Sequence, residues 1–457
     1  MDIRVTMRKV IMLFIGSLIV AIALSIITVA IPAPGFHARI GENLELLSWH
    51  SDFYPSVMWG RNFSRLDNHT DALMTQIAMD NPRISVLQQA FDPLVIRTFV
   101  DELRKIPNMV KSLRARYYDG AVPDFGYGRY WHGYRTPLRL LGSIMSYQQL
   151  RILNYICIGA LFVASGVFVG RALGRSFRYL YLGSLLAVSI YLVPLSLQYL
   201  SVFYVLLVSV SVLMRGLVRR GKQAPIIEVI TLSAIAVAYL DFLTAPLIVG
   251  GLLVGLYTVW LYRDRSLSGR QIGRMAGGLF LLWFGTYAAF WAVKGLVARL
   301  FGVRGVLESF TSQVGQHTLH ATTTDWVHAI PFNLATFMGA TSLDTNMKDL
   351  YYWLYVAGFF VLVALSVVIW RVLMQRAGPK SSLRIARRYA PLLPLSLTPF
   401  FWWQLKPWQS ANHLFVHREI AIFLFSLGAF YLLTYYEARH LAREPLVIDE
   451  DSRCIAP

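Results

Sequence analysis

Ten apolar runs constrain this chain more than any other feature. They cover 10–31, 152–170, 179–197, 201–217, 225–240, 245–262, 275–297, 351–370, 389–403 and 419–436. An α-helix rises about 1.5 Å per residue, so some 20 apolar residues cross the ~30 Å hydrocarbon core of a bilayer. Of the 457 residues, 56% are hydrophobic and only 15% charged, against about 25% charged in ordinary soluble domains. The expected fold is all-α: a polytopic membrane protein with about ten transmembrane helices and two extracytoplasmic loop regions. The first run follows "MDIRVTMRK". Its apolar core exceeds the roughly 7–15 residues of a signal-peptide core, so it reads as an uncleaved anchor.

The formal charge of +18 acquires meaning once it is mapped. Loops 171–178, 215–222, 263–274 and 371–388 are crowded with Lys and Arg, and their only acid is Asp264. Loops 196–201 and 241–246 carry no Lys or Arg, and 404–418 carries two. Short basic loops stay cytoplasmic. With ten spans both termini are then cytoplasmic, and Arg4, Arg8 and Lys9 agree. The basic excess is thus topology and contact with anionic membrane lipids; no nucleic acid partner is implied. Cys157 and Cys454 lie at opposite depths and have no metal spacing. The ending "CIAP" fits a prenylation box poorly.

This topology divides the chain into a cytoplasmic N-terminus and first helix (1–31), a large extracytoplasmic loop with amphipathic helices (32–150), helices two to seven (151–297), a second extracytoplasmic loop (298–350), helices eight to ten (351–436) and a cytoplasmic tail (437–457). Chemistry therefore belongs on the outer face. In the first loop, "IPAPGF" breaks the chain. A helix is expected over about 64–80, with Leu66, Leu73, Met74, Ile77 and Ala78 on one stripe and Ser64 as cap. A second helix is expected over 92–105. "TPLRLLGSIM" (136–145) is too short to span and suits an interfacial or re-entrant position.

Several groups can carry chemistry. In "SRLDNHTDALM", Asp67 and Asp71 stand one helical turn apart. Such a pair can act as general base or hold a divalent cation, Mg or Mn; acids in a first turn also simply favour the helix dipole. Glu42, Glu45 and Asp52 are rivals nearer the first span. "GRYWHGYRTPLRLL" sets Arg129, His132, Arg135 and Arg139 among aromatics. That pattern suits either membrane-interface anchoring or docking of an anionic headgroup, since Arg matches phosphate geometry with paired donors. "QLKPWQSANHLFVHRE" places Lys406, His413, His417 and Arg418 at the mouth of the last two spans. His413 and His417 share a face if the final helix begins near Asn412. These groups either meet a phosphate or snorkel to the interface. Asp241 ends a span and is either a site residue or a cap. His317, His320, Asp325 and His328 match no defensible zinc motif. No phosphate-binding loop, dinucleotide fingerprint or nucleophile elbow occurs.

With "LDNHTDALM", "RYWHGY", "DFLTAPL" and "NHLFVHRE", this layout resembles the GT-C class of membrane glycosyltransferases, and uncharacterised bacterial multi-pass proteins of the same shape. The resemblance implies a bacterial plasma-membrane enzyme that moves a sugar from a polyprenyl-phosphate donor to an envelope glycan or lipid acceptor on the extracytoplasmic face. Its catalytic acid falls on Asp67 or Asp71, and its carrier-phosphate contacts on Arg135, Lys406, His417 and Arg418. Family acids often lie closer to the first span, which keeps Glu42 and Glu45 in play. Loops 117–135 and 308–350 are expected to close over the site. The alternative is a transporter or flippase for an anionic lipid or glycan, although transporters place their polar groups near the midplane. A third option is a structural subunit of an envelope assembly.

Overall fold

The computed structural model describes residues 3–47, 53–100, 107–242, 244–315, 321–341, 349–375 and 378–441. Among these, six helices are long and apolar enough to cross a membrane: Thr6–Ala30, Tyr147–Leu173, Leu197–Gln223, Gly269–Leu300, Leu350–Met374 and Val416–His440. Each falls on an expected run. Two further runs form the shorter apolar helices Ile226–Leu240 and Leu247–Leu261. In the latter every residue but Trp260 is buried, as suits a helix apolar on all faces at the centre of a bundle. It packs against Gly269–Leu300, Leu392–Leu405 and Ile420–Leu441.

The other two runs are not spans of ordinary length. Run 179–197 forms Arg175–Ala187, then a left-handed Ser189 (φ 61°), then a 3-10 turn over Ile190–Leu195 containing Pro194. Run 389–403 forms Leu392–Leu405, 14 residues with Pro399 inside. Proline lacks the amide that would continue the helical ladder.

The loops sort to opposite ends of the bundle. At one end Lys222 pairs with Asp264 (2.5 Å), Lys9 with Glu228 (3.0 Å), and Arg263 donates to the Ala172 carbonyl. Segments 196–201, 241–246 and 404–418 gather at the other end, under residues 32–150. There the helices Pro34–Leu47, Asn68–Ala78, Met109–Tyr118 and Arg135–Gly142 build a second core, in which Phe36, Ile40, Leu73, Ile77, Leu113 and Tyr134 are buried, while Val86–Phe91 packs its Ala90 and Phe91 into the main core. A short antiparallel ribbon pairs Leu94–Val95 with Phe125–Gly126.

The stripe Leu66, Leu73, Met74, Ile77 and Ala78 is buried as expected. The cap is not Ser64, which ends a separate 3-10 turn, but Asp67, so the helix begins at Asn68. Of the second expected helix, the described residues 92–100 are not helical and 101–105 lie outside the described residues; a helix stands earlier, at Val86–Phe91, and ends where Pro93 drives Asp92 out of helical backbone. Segment 136–145 is largely the helix Arg135–Gly142. Its Arg139 is buried, donating to Ala78 and Ile31 carbonyls and pairing with Asp80 at 2.7 Å.

Candidate functional site

The two aspartates that share a helical turn have different surroundings. Asp71 is a clamp. Its Oδ1 accepts from Ser196 Oγ (2.9 Å) and Gln198 N (3.0 Å), and its Oδ2 from Tyr147 Oη (2.5 Å) and Leu197 N (3.0 Å). Two of these donors are the first free amides of the Leu197–Arg220 helix, whose positive end a carboxylate satisfies. Burial raises the Asp71 carboxyl, and the four donors push it back.

Asp67 is held only from its own helix: Oδ1 accepts from Thr70 N (2.8 Å) and Oδ2 from Thr70 Oγ1 (2.9 Å). Burial pushes its carboxyl up to about 7, and the Asp71 charge adds to the rise. It lies within electrostatic reach of Tyr199, whose hydroxyl donates to the Arg65 carbonyl (3.0 Å) two residues before it. On the Tyr199 ring lies Arg418, its Cζ 4.1 Å from the centroid. Arg418 Nε and Nη2 are buried and have no hydrogen-bond partner.

The same pattern continues through the late segment. Lys406 is buried against Trp402, 4.6 Å from the ring centroid, and its Nζ has no hydrogen-bond partner. Burial pulls its ammonium down to about 8, against the pull of Glu419 and Asp241. Asp241 accepts from Thr244 N (2.7 Å) through Oδ2, while Oδ1 is unpartnered. Burial raises it to about 6, opposed by Thr244 and Lys406. His413 is half-buried and feels Lys406 and His69; desolvation drops it to about 3, so it is a neutral donor or acceptor. His417 Nδ1 lies 2.7 Å from the Leu414 carbonyl, and Nε2 is unpartnered. The two histidines do not share a helical face. The helix Pro407–Asn412 stops at His413, and a 3-10 turn over Val416–Glu419 precedes the final helix. The structure thus sets Asp67 near Tyr199, with Arg418 on the Tyr199 ring, and sets Lys406 near Asp241, Glu419 and His413; Tyr199, His69 and Glu419 are residues the sequence reading passed over. Glu419 carried a signal, as the one acid at the mouth of an otherwise acid-free apolar run.

Other expected site residues belong to the fold. Arg135 spends both terminal nitrogens on the Gln89 and Ala90 carbonyls (2.7 Å each), so it is no phosphate ligand. His132 is buried among Tyr127, Tyr130, Tyr134 and Phe242, with Nε2 2.7 Å from the Tyr127 carbonyl; burial and neighbouring cations keep it neutral. Arg129 lies over Tyr127, outside the Lys406 cluster. Glu42 and Glu45 are exposed on the Pro34–Leu47 helix, away from the buried acids. Asp52, His317 and His320 lie outside the described residues. Asp325 is committed to capping its own helix with Thr322. Among the described residues no three His, Cys, Asp or Glu form a group able to hold a metal. The aspartate pair does not make a cation site, because donors occupy both Asp71 oxygens.

Two cavities of about 310 and 360 Å³ lie apart from the charges, in apolar walls. They meet at Tyr204. One is bounded by Met74, Tyr134, Leu197 and Leu240, the other by Val208, Val212, Leu232 and Ala236. Together they trace a trough along the Leu197–Arg220 helix from the Asp71 clamp toward the middle of the bundle.

No family model, curated protein or solved structure matches this chain. The chemistry is therefore read from the arrangement itself. One buried acid, Asp67, shares Tyr199 with a buried cation, Arg418, and a second buried cation, Lys406, lies near Asp241 and Glu419; nitrogens of both cations lack acceptors. Buried cations without partners are costly, and an anionic group would satisfy them.

Proposed function

We propose that this protein is a GT-C type glycosyltransferase of the bacterial plasma membrane. It transfers a sugar from a polyprenyl-phosphate donor to an envelope glycan or lipid acceptor on the extracytoplasmic face. The observation that supports this reading is that Asp67, from the early loop, and Arg418, from the far end of the chain, both reach Tyr199, while the buried Lys406 of the same late segment has an unpartnered nitrogen. The acceptor hydroxyl attacks the anomeric carbon while Asp67 takes its proton. The bond from that carbon to the phosphate oxygen breaks, and the electron pair leaves with the polyprenyl phosphate. Lys406 and Arg418 meet the leaving charge, where preorganised cations in a water-poor site act most strongly. A base whose pKa lies near the working pH is effective in this role. The apolar trough takes the carrier's hydrocarbon. In this reading the short and broken helices also cross the membrane, giving about ten crossings with both termini cytoplasmic.

The test is transfer by purified protein in nanodiscs, supplied with a panel of polyprenyl-phosphate sugars, with and without chelator. The expected result is turnover with at least one donor, and a loss of 100-fold or more in Asp67→Asn and Lys406→Met. No turnover with any donor, or wild-type rates in both variants, would overturn it. Movement of an intact lipid-linked sugar across the bilayer without transfer would favour the transporter.

A further inference from the structure

Arg97 and Arg129 form a second cationic feature at the rim of the same end. Arg97 lies two residues beyond the Leu94–Val95 strand, and Arg129 three beyond the paired Phe125–Gly126. They leave opposite ends of the antiparallel ribbon, but Phe125 and Tyr127 are alternate residues of one strand and so share a face, and each carries one of the two arginines. Each rests on an aromatic ring: Arg97 Cζ is 4.4 Å from the Phe125 centroid, and Arg129 Cζ is 4.0 Å from that of Tyr127. Arg129 Nη2 donates to Tyr127 Oη (2.6 Å), while its Nε is buried with no partner. Among the described residues neither arginine makes an ion pair.

The ordinary account is that two half-buried arginines satisfy themselves with rings and water. That account leaves their juxtaposition unexplained. Burial and the charge of Arg129 both disfavour the Arg97 cation, and Tyr127 offsets them only in part. Stacking fixes the guanidinium planes, so their donor edges are preorganised rather than mobile. Two forks set side by side on one face of the ribbon suit an acceptor with oxygens on several sides. A tetrahedral phosphate offers that; a planar carboxylate fills one fork.

We propose that Arg97 and Arg129 bind a phosphate group at this rim, as an anion site separate from the buried Lys406 and Arg418 cluster. The proposal goes beyond the transferase reading and does not depend on it. The phosphate belongs either to a soluble phosphorylated ligand or to the headgroup of an anionic lipid.

Calorimetric titration of the full-length protein in neutral detergent with inorganic pyrophosphate tests the site. Wild type should bind, and Arg97→Gln should weaken binding at least tenfold. Arg97→Lys should recover only part, since it restores the charge without the fork. Arg129→Gln should match Arg97→Gln. Should its loss of the Tyr127 contact prevent folding, the half-exposed Arg97 decides alone. Lys406→Met should keep the Arg97-dependent binding. The site is refuted if wild type shows no binding, if Arg97→Gln binds like wild type, or if Lys406→Met removes all binding. The source follows from repeating the titration in nanodiscs. Competition by phosphatidylglycerol but not phosphatidylcholine assigns the site to a headgroup; equal binding in both assigns it to a soluble phosphate. Absent glycosyl transfer with pyrophosphate binding intact would remove the transferase and leave this site standing.

Discussion

Asp67 and Asp71 differ by one turn of helix and by everything around them. Asp71 has four donors from two other elements, so Asp71→Ala strands two helix-terminal amides and two hydroxyls. The expected cost is roughly 3 kcal/mol or more, seen as a lowered thermal midpoint in detergent. Asp67→Asn keeps the shape of the cap and should unfold no lower than wild type while losing transfer. Equal midpoints for the two variants would refute the division of roles. The pH dependence follows from the same burial. Asp67 binds its proton more tightly folded than unfolded, so its contribution to stability is present below the ordinary value of 3.8 and lost as pH climbs through about 7. Asp67→Asn should remove that loss and gain stability relative to wild type at pH 8. Transfer should rise with the Asp67 anion through about 7 and fall as Lys406 loses its proton above about 8. Lys406→Arg should erase the falling limb. A flat profile from pH 6 to 9 would remove both residues from the rate.

At the scale of elements, what was legible depended on whether a signal was local. The period of Leu66, Leu73, Met74 and Ile77 records one face of one helix, and that face is buried. Most acceptors of Arg135 and Arg139 are main-chain carbonyls, which no side-chain pattern announces; the sequence therefore left this cluster open between interface anchor and headgroup ligand, and the structure uses both arginines as struts. The break at Ser189 was hidden because hydropathy averages over backbone geometry. "RYWHGY" was legible as aromatic but not as a docked loop. Its seat is set by Gly133, whose amide donates to the Tyr239 carbonyl at 2.9 Å. A Cβ there would stand 2.2 Å from Tyr239 Cε1. Gly133→Ala should therefore cost about 1–3 kcal/mol by overpacking, and Tyr239→Leu should recover part of it by opening the contact. Thermal midpoints of the two single variants and the double check this; additive losses would mean that the pair does not share the strain.

Across the whole molecule, charge and chemistry separate along the bundle axis. Loops 215–222 and 263–274 meet at one end, where Lys222 pairs with Asp264. Asp67, Asp241, Lys406 and Arg418 gather at the other. In the proposed orientation the first end is cytoplasmic: an anionic cytoplasmic surface favours it by about 1 kcal/mol per basic residue near the surface, and short basic loops resist translocation. The proposal then turns the second end outward, toward lipid-linked rather than nucleotide-linked sugars, so orientation and substrate class stand or fall together. This can be decided without any assay of transfer. Cys157 and Cys454 are replaced by Ser, and single cysteines are introduced at Val122 and Ser266, both exposed and at opposite ends. In intact spheroplasts an impermeant maleimide should label Val122→Cys at once and Ser266→Cys only after permeabilisation. The reverse pattern would place Asp67 and its cations in the cytoplasm, where nucleotide sugars are available, and would remove the reason for a polyprenyl carrier.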